Sequence, residues 1–255
     1  MTMPHATPTR LFSVGLIVDC LLPFRCASCR LPLTTARDTG PASGPAHRLC
    51  RACYQSLVGK SSANRCSVCS IPLPQLVTRC ARCTRVQFGF DSAFAAAAHA
   101  DTAAALIRAY KSGRDRTLGA QMACHMIGTA RAAGWKPISE ASTVIPIPSS
   151  RRACRKRGFA GAAVLARHIC SRLDLPSRSV LRLAGATPQK SLSLEERTAH
   201  ARAALSLTGA SAEVPDRVLL IDDVMTTGAT VSHAASLLKE AGASRVDVLV
   251  FAMEH

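Results

Sequence analysis

Four pairs of cysteines, each pair separated by two residues, lie in the first third of the 255-residue chain. They are Cys26/Cys29, Cys50/Cys53, Cys66/Cys69 and Cys80/Cys83. One such pair turns two thiolates toward a common point, and two pairs complete a tetrahedral site for a soft metal such as Zn²⁺. Because four thiolates leave no position for water or substrate, the pattern predicts structural zinc sites. Few large apolar residues lie between the pairs, so metal must supply much of the folding free energy there.

The spacing leaves open how the pairs combine. Consecutive pairs would give two separate ribbons, whereas a cross-braced arrangement would join the first pair with the third and the second with the fourth. The apolar run Leu11–Val18 is interrupted by Asp19 and is far shorter than the roughly 20 residues that span a bilayer. We therefore expect an amphipathic segment over residues 1–24, no stable membrane insertion and a cytoplasmic location. In a reducing compartment, paired cysteines favour metal over disulfides.

The chain is strongly basic, with 32 Lys and Arg residues against 16 Asp and Glu residues and a formal net charge of +16. Such a surface attracts polyanions such as single-stranded DNA, and binding of this kind weakens with salt and specifies no sequence. Aromatic residues make up only 4% of the chain, so few side chains are available to stack on bases. The apolar fraction of 48% is enough for a core and excludes wholesale disorder.

The pattern changes near residue 87, after which apolar strands alternate with amphipathic helices. Strands are predicted at Phe90–Ala97, Thr143–Pro148, Ser179–Leu183, Arg217–Ile221 and Arg245–Phe251. Helices are predicted at Asp101–Lys111, with Asp101 as the N-cap, and at Gly119–Ala133, Ala162–Leu173 and Ala229–Ala241. This order predicts an α/β domain with a parallel sheet flanked by helices over residues 87–255. A small zinc ribbon domain, with four cysteine ligands at each metal, would precede it over residues 25–86.

The most informative segment after the cysteines is the strand that ends in Asp222 and Asp223, followed by a Thr-rich loop and a helix. Backbone N–H groups at such a strand–loop–helix junction can hold a phosphate, and Gly228 allows close approach of the backbone. Two adjacent carboxylates suit the hydroxyls of a sugar phosphate and a nearby Mg²⁺. The candidate phosphate-binding residues are Met225, Thr226, Thr227, Gly228, Ala229 and Thr230.

This segment resembles the phosphoribosyl diphosphate (PRPP) motif of type I phosphoribosyltransferases. Together with the cysteine pairs, it makes the chain from about Leu21 to Ala252 similar to the ComF family, the group of competence protein F and GntX. Further landmarks are Tyr110-Lys111, Val144–Pro148 with Arg151-Arg152, Arg157-Gly158-Phe159, and Thr187–Gln189 with Arg197. Two positions depart from the family pattern: Ala160-Gly161 stands in place of Asn-Gln, and His200 in place of Asn.

The resemblance implies a double zinc ribbon followed by a type I phosphoribosyltransferase-like domain that binds PRPP with Mg²⁺. Asp222 and Asp223 would be the catalytic residues, holding the ribose hydroxyls and offsetting positive charge that develops at C1. Arg151, Arg152 and Lys111 would contact the diphosphate. Lys190 and Arg197 would lie on a flexible loop that closes over the site.

The family resemblance also implies a role in DNA uptake during natural transformation or in the use of DNA as a nutrient. Three hypotheses follow. The first is a protein that binds PRPP or a nucleotide and also single-stranded DNA through its basic ribbons. The second is an active phosphoribosyltransferase acting on an unidentified base or amine. The third is a non-catalytic PRPP-sensing adaptor of a competence helicase.

Overall fold

The computed structural model describes residues 24–33, 48–58, 64–183, 205–208 and 214–254. Within these ranges the strands are β1 (Phe24–Arg25), β2 (Pro32–Leu33), β3 (Ser92–Ala98), β4 (Thr143–Pro146), β5 (Leu181–Leu183), β6 (Leu205–Leu207), β7 (Arg217–Met225) and β8 (Arg245–Met253). The helices are α1 (Arg51–Val58), α2 (Ala81–Arg85), α3 (Asp101–Lys111), α4 (Leu118–Ala132), α5 (Pro137–Glu140), α6 (Arg151–Arg157), α7 (Gly161–Leu173) and α8 (Ala229–Glu240).

The central sheet has four strands in the order β3-β8-β7-β4, and all neighbouring strands are parallel. The pairs β1/β2 and β5/β6 form small antiparallel sheets. The predicted parallel α/β sheet is therefore confirmed. No helix among the described residues is long and apolar enough to cross a membrane.

Helices cover both faces of the sheet because successive side chains of a strand point to opposite sides. Leu219 and Ile221 of β7 belong to a core that also contains buried residues of α3, α4 and α7. Val218 and Leu220 belong to a second core shared with buried residues of α8. The inner strand β8 is buried from Val246 to Met253, as expected for a strand covered on both faces.

The observed elements correct several sequence predictions. The strand predicted at 179–183 begins at Leu181 and pairs antiparallel with β6, outside the parallel sheet. β7 does not end at Ile221 but continues to Met225, because β8 supplies backbone partners as far as Met253. The predicted strand at 143–148 ends at Pro146. Asp101 is not the N-cap of α3: Ala100 occupies that position, and Asp101 is the first helical residue. Helix α6, over the arginine-rich stretch 151–157, was not predicted. The predicted amphipathic segment lies almost wholly outside the described residues.

The first cysteine region packs against the helices of one face. Leu49 and Leu57 are buried in the same core as Leu118 of α4. Asp115, in the turn before α4, forms an ion pair with Arg48, with 2.9 Å between Oδ2 and Nη2. These contacts fix the first cysteine region to the helical layer that contains α3 and α4.

The second cysteine region covers the outer edge of β3. The N–H of Ala93 donates to the carbonyl of Val68 with an N···O distance of 2.6 Å, and the Ser70 hydroxyl donates to the Ala93 carbonyl. Arg65 Nη1 donates to the Ala95 carbonyl at 3.3 Å. An edge strand otherwise presents unpaired backbone groups to other chains. The second cysteine region therefore satisfies part of this edge.

Candidate functional site

The eight paired cysteines form two clusters. The four Sγ atoms of Cys26, Cys29, Cys50 and Cys53 lie within 4.8 Å of one another, and so do those of Cys66, Cys69, Cys80 and Cys83. Consecutive pairs thus combine, and the cross-braced arrangement is excluded. We call these groups the first and second cysteine clusters.

Both clusters fit a tetrahedral metal. The Sγ atoms of Cys29 and Cys50 are 3.7 Å apart, as are those of Cys69 and Cys80. Tetrahedral zinc with Zn–S bonds of about 2.3 Å requires sulfurs about 3.8 Å apart. Backbone N–H groups also point at sulfur, since the Cys50 amide donates to Cys26 Sγ at 3.3 Å in the first cluster. The geometry therefore fits two zinc ribbons.

The two clusters have matching electrostatics. Burial alone would raise the pKa of Cys26, but N–H groups donated by the Cys50 and Cys29 backbones lower this pKa to about 7. The pKa of Cys66 is likewise about 7, because the Cys69 and Cys80 amides outweigh the effect of its burial. Burial and neighbouring thiols raise the pKa of Cys53 to about 12. One thiolate therefore forms readily in each cluster, at Cys26 in the first and at Cys66 in the second.

The predicted phosphate-binding segment lies where β7 meets α8. Met225 is the last residue of β7, and its side chain is buried in the core. Thr226 and Thr227 are exposed in the loop, and Gly228 caps α8 with a φ of 70°. This left-handed conformation favours glycine. We call residues 226–230 the phosphate loop; it includes Ala229 and Thr230 in the first turn of α8.

The carboxylate of Asp223 lies in a close-packed corner between β7, α3 and α7. Lys111 Nζ is 2.7 Å from Asp223 Oδ1. A Cβ on Gly161 would come within 3.1 Å of Asp223 Oδ2 and 3.3 Å of the Tyr110 ring. The Tyr110 hydroxyl donates to the Gly161 carbonyl at 2.8 Å. The departure from the family pattern at Gly161 thus accompanies close approach of the backbone to the carboxylate.

Asp222 occupies a different environment from Asp223. Its Oδ1 atom accepts a hydrogen bond from the Asp223 N–H at 2.8 Å. Burial, followed by the negative charge of Asp223, raises the pKa of Asp222 to about 7, although the charges of Lys111 and Arg157 act in the opposite direction. The two adjacent carboxyl groups therefore differ. Asp223 is paired with Lys111, whereas Asp222 gains or loses a proton near neutral pH.

Of the cations predicted to contact the ligand, the structure describes Arg151, Arg152 and Lys111. Arg151 and Arg152 are exposed in the first turn of α6. They follow β4, whose last residue, Pro146, pairs with Ile221, the residue before Asp222 in β7. Lys111 is brought to the carboxylate pair, where it neutralises Asp223. Lys190 and Arg197 lie outside the described residues, as do Thr187–Gln189 and His200.

Sequence reasoning included Arg157 as a family landmark but missed it as a candidate site residue. Its charge lowers the pKa of Asp222, and its buried Nε has no hydrogen-bond partner among the described residues. The residue follows four other cations in one arginine-rich run, so no local pattern in the sequence set it apart.

A cleft of about 310 Å³ opens beside this corner. Phe159, whose ring centroid is 5.0 Å from that of Tyr110, forms part of its wall. The other lining residues are Arg116, Gly158, Ala160, Ala163, Val164 and Arg167. The cleft therefore joins an aromatic ring, which packs on Tyr110, with two guanidinium groups.

Comparison with known proteins agrees with this geometry. The family described as a phosphoribosyl transferase domain matches residues 159–255. Competence protein F from Haemophilus influenzae is 27% identical over 232 residues, which cover 88% of this chain and 95% of the relative. The resemblance to the ComF family is confirmed.

Two further relatives are similar to different lengths of this ComF-like chain. DNA utilization protein YhgH from Salmonella typhi is 23% identical over 235 residues, covering 89% of this chain and 96% of the relative. An adenine phosphoribosyltransferase from Kineococcus radiotolerans is 40% identical over 70 residues, covering 28% of this chain and 38% of that enzyme. The likeness to the first relative spans nearly the whole chain, whereas the likeness to the enzyme is limited to one segment.

Proposed function

We propose that this ComF-like chain binds PRPP or a related phosphorylated ribose with Mg²⁺, and that it handles incoming DNA in the cytoplasm. The observation that carries the ligand assignment is the junction of β7 and α8. There, a carboxylate pair near the end of β7 is followed, after Val224 and Met225, by an exposed Thr-Thr loop and a glycine-capped helix. The similarity to a phosphoribosyl transferase domain and to competence protein F supports this function.

The residues of the junction have distinct roles in this proposal. The 5′-phosphate is bound by N–H groups and hydroxyls of the phosphate loop, where the N-terminus of α8 adds positive potential. The carboxylates of Asp222 and Asp223 accept hydrogen bonds from the ribose hydroxyls. They also provide the hard oxygen ligands that Mg²⁺ prefers, and bound Mg²⁺ neutralises charge on the diphosphate.

Two groups of cations would act at the opposite end of the ligand. Arg151 and Arg152 are exposed at the carboxyl edge of the sheet, where open α/β sheets bind their ligands. Lys111 is paired with Asp223 and would contact the diphosphate after that ion pair rearranges. Lys190 and Arg197 remain predictions from the family resemblance.

Titration calorimetry with PRPP and Mg²⁺ tests the ligand assignment. Asp222→Asn and Asp223→Asn remove a negative acceptor while keeping the side-chain size, and each should weaken Mg²⁺-dependent binding about tenfold or more. Asp174→Asn is the matched control. It makes the same charge change at an exposed helix C-cap with a φ of 55°, a conformation that Asn adopts readily. Unchanged affinity in both site variants would refute the assignment.

The cleft beside Phe159 favours a second candidate function, transfer of the phosphoribosyl group to an acceptor. An aromatic wall and two arginines suit a ring-bearing acceptor, and Phe159 in this wall packs on Tyr110, whose hydroxyl donates to the Gly161 carbonyl. Release of pyrophosphate from PRPP should be measured across a panel of bases and amines, with and without single-stranded DNA. Release that depends on one acceptor supports transfer, whereas no release across the panel leaves the binding function alone.

The cysteine clusters are the proposed contact for single-stranded DNA. Arg25, Arg30, Arg51 and Arg79 are exposed around them. Arg48 and Arg65 are instead engaged with Asp115 and with the β3 backbone. Tyr54 is half-buried, which limits base stacking. We therefore expect sequence-independent binding whose affinity falls steeply with salt. Absent binding, or binding indifferent to salt, would exclude this role. The helicase partner remains a prediction.

A further inference from the structure

Helix α2 carries an arginine from the second cysteine cluster to the phosphate loop. The helix spans Ala81–Arg85 and includes or adjoins two metal-ligating positions, Cys80 and Cys83. Cys80 Sγ caps the helix by accepting the Cys83 N–H at 3.4 Å. The position of Arg82, which lies between these ligands, therefore depends on the geometry of the cluster.

The guanidinium of Arg82 contacts main-chain carbonyls of the loop. Nη2 donates to the carbonyl of Thr227, and Nη1 lies 3.5 Å from the carbonyl of Thr226. The guanidinium also lies 5.3 Å from the centroid of the Phe88 ring. A Cβ on Gly228 would come within 3.4 Å of that same ring. The arginine and Phe88 thus contact the loop together.

The junction that carries Phe88 is itself tightly fixed. Phe88 stacks on Phe90 with ring centroids 4.8 Å apart. The N–H of Gly89 donates to Ser232 Oγ of α8 at 2.9 Å, and a Cβ on Gly89 would come within 2.4 Å of the Ser232 carbonyl. The second cysteine cluster therefore cannot shift relative to α8 without disturbing this contact.

The orientation of the loop amides follows from these contacts. In a trans peptide, the carbonyl of one residue and the N–H of the next point in opposite directions. Holding the Thr226 and Thr227 carbonyls toward Arg82 turns the Thr227 and Gly228 N–H groups away from it. Neither of these N–H groups donates to another described residue.

We propose that Arg82 is a positioning residue for the phosphate loop, and that it makes anion binding by this loop depend on metal in the second cysteine cluster. This inference rests on the proposed function. The arginine holds two carbonyls so that two amides face the ligand, and its charge adds to the positive potential of the loop. Because Arg82 is exposed, replacing it should not unfold the ribbon.

The test compares Arg82→Ala and Arg82→Lys with Arg85→Ala. Arg85 is the last residue of α2 and is also exposed, so the control makes the same charge change on the same helix. Zinc content, thermal unfolding and affinity for Mg²⁺–PRPP are measured for each variant. We expect Arg82→Ala to keep its zinc and its melting temperature but to bind PRPP about tenfold more weakly. Arg82→Lys, which has no forked donor pair, should be intermediate, and Arg85→Ala should match wild type.

Amide hydrogen exchange at the start of α8 in the ligand-free protein gives a second readout, because the Ala229 N–H donates to Thr227 Oγ1 and the Ser232 N–H donates to the Gly228 carbonyl. Arg82→Ala should speed exchange in this segment, whereas Arg85→Ala should not. If PRPP binds none of the proteins but exchange still rises in Arg82→Ala, the ligand assignment fails and the positioning role stands. A zinc-loaded Arg82→Ala protein with wild-type PRPP affinity and wild-type exchange would overturn the positioning role.

Discussion

The two cysteine clusters share the same pair spacing, but they are attached to the sheet in different ways. The first packs on α3 and α4 through buried leucines and the Arg48–Asp115 ion pair. The second is held by hydrogen bonds to main-chain carbonyls, from Arg65 to β3 and from Arg82 to the phosphate loop. The cysteines fix the metal geometry in both, whereas the residues between them decide what each cluster contacts.

This difference has energetic consequences. A partly exposed ion pair such as Arg48–Asp115 contributes about 0–1 kcal/mol. Hydrogen bonds from the half-buried guanidinium of Arg65 to main-chain carbonyls contribute about 1.5–3 kcal/mol, whereas those of the exposed Arg82 contribute less to stability. By its polar contacts the second cluster should therefore be attached more strongly than the first, whose attachment depends mainly on the buried Leu49 and Leu57.

The largest effect is expected when one buried cysteine ligand is replaced in each cluster, because the two replacements should differ in their effect on PRPP binding. Cys26 and Cys66 are matched, because each is the first and buried ligand of its cluster. Cys26→Ser and Cys66→Ser should each lose one zinc, since three thiolates and a hydroxyl bind it far more weakly. Only Cys66→Ser should also lose most of its PRPP affinity, by more than about tenfold, because α2 then releases Arg82. Elemental analysis and calorimetry measure both effects. Equal losses of affinity would remove the distinction between the clusters.

A smaller effect compares the two anchoring arginines. Arg65 donates to the Ser70 and Ala95 carbonyls at 3.0 and 3.3 Å and lies 5.2 Å from the Phe94 ring centroid. Arg65→Ala leaves these carbonyls unsatisfied and should reduce the free energy of unfolding by about 2–3 kcal/mol. Arg48→Ala should cost about 1 kcal/mol or less. Denaturant titrations at constant zinc provide the measurement. A larger cost for Arg48→Ala would reverse the proposed order of attachment.

Features set by local spacing could be predicted from the sequence. The cysteine pairs, the parallel sheet and the junction near Asp222 all depend on residues close together in the chain. The position of the second cluster on the β3 edge could not be predicted, because hydrogen bonds such as Ala93 N–H to Val68 use backbone groups common to nearly every residue. The end of β7 was predicted too early because pairing with β8, and not apolar character, decides where the strand stops.

The role of individual cations was equally hidden in the sequence. Arg82 is one of many arginines, and only the folded chain brings it to a loop 144 residues away. Lys111 was expected at the diphosphate, but its contact with Asp223 depends on how α3 packs against β7. Long-range contacts of this kind leave no periodic signal in the chain.

Protonation of Asp222, near the loop end of the sheet, should make the stability of the fold depend on pH, independently of either cluster. The pKa of Asp222 is about 7 in the folded chain, above its ordinary value of 3.8. Folding is therefore favoured by a proton on Asp222 at low pH, and this contribution is lost as the pH rises from about 4 through 7. At pH 8, Asp222→Asn should therefore melt above wild type. The margin should shrink toward pH 5 in thermal scans. A margin that is constant with pH would show that Asp222 does not titrate in this range.

The smallest expected effect concerns the contribution of each cluster to DNA binding. Arg51 follows a ligand of the first cluster and Arg79 precedes a ligand of the second, and both are exposed. If each contacts one phosphate of single-stranded DNA, its replacement by Ala should reduce the slope of log affinity against log salt by about 0.7. Fluorescence anisotropy over a range of salt concentrations resolves such a change. Equal decreases indicate that the strand contacts both clusters, whereas a decrease in only one variant assigns the strand to that cluster. If neither slope changes, neither arginine contacts DNA phosphate, and the difference between the clusters lies in their attachment alone.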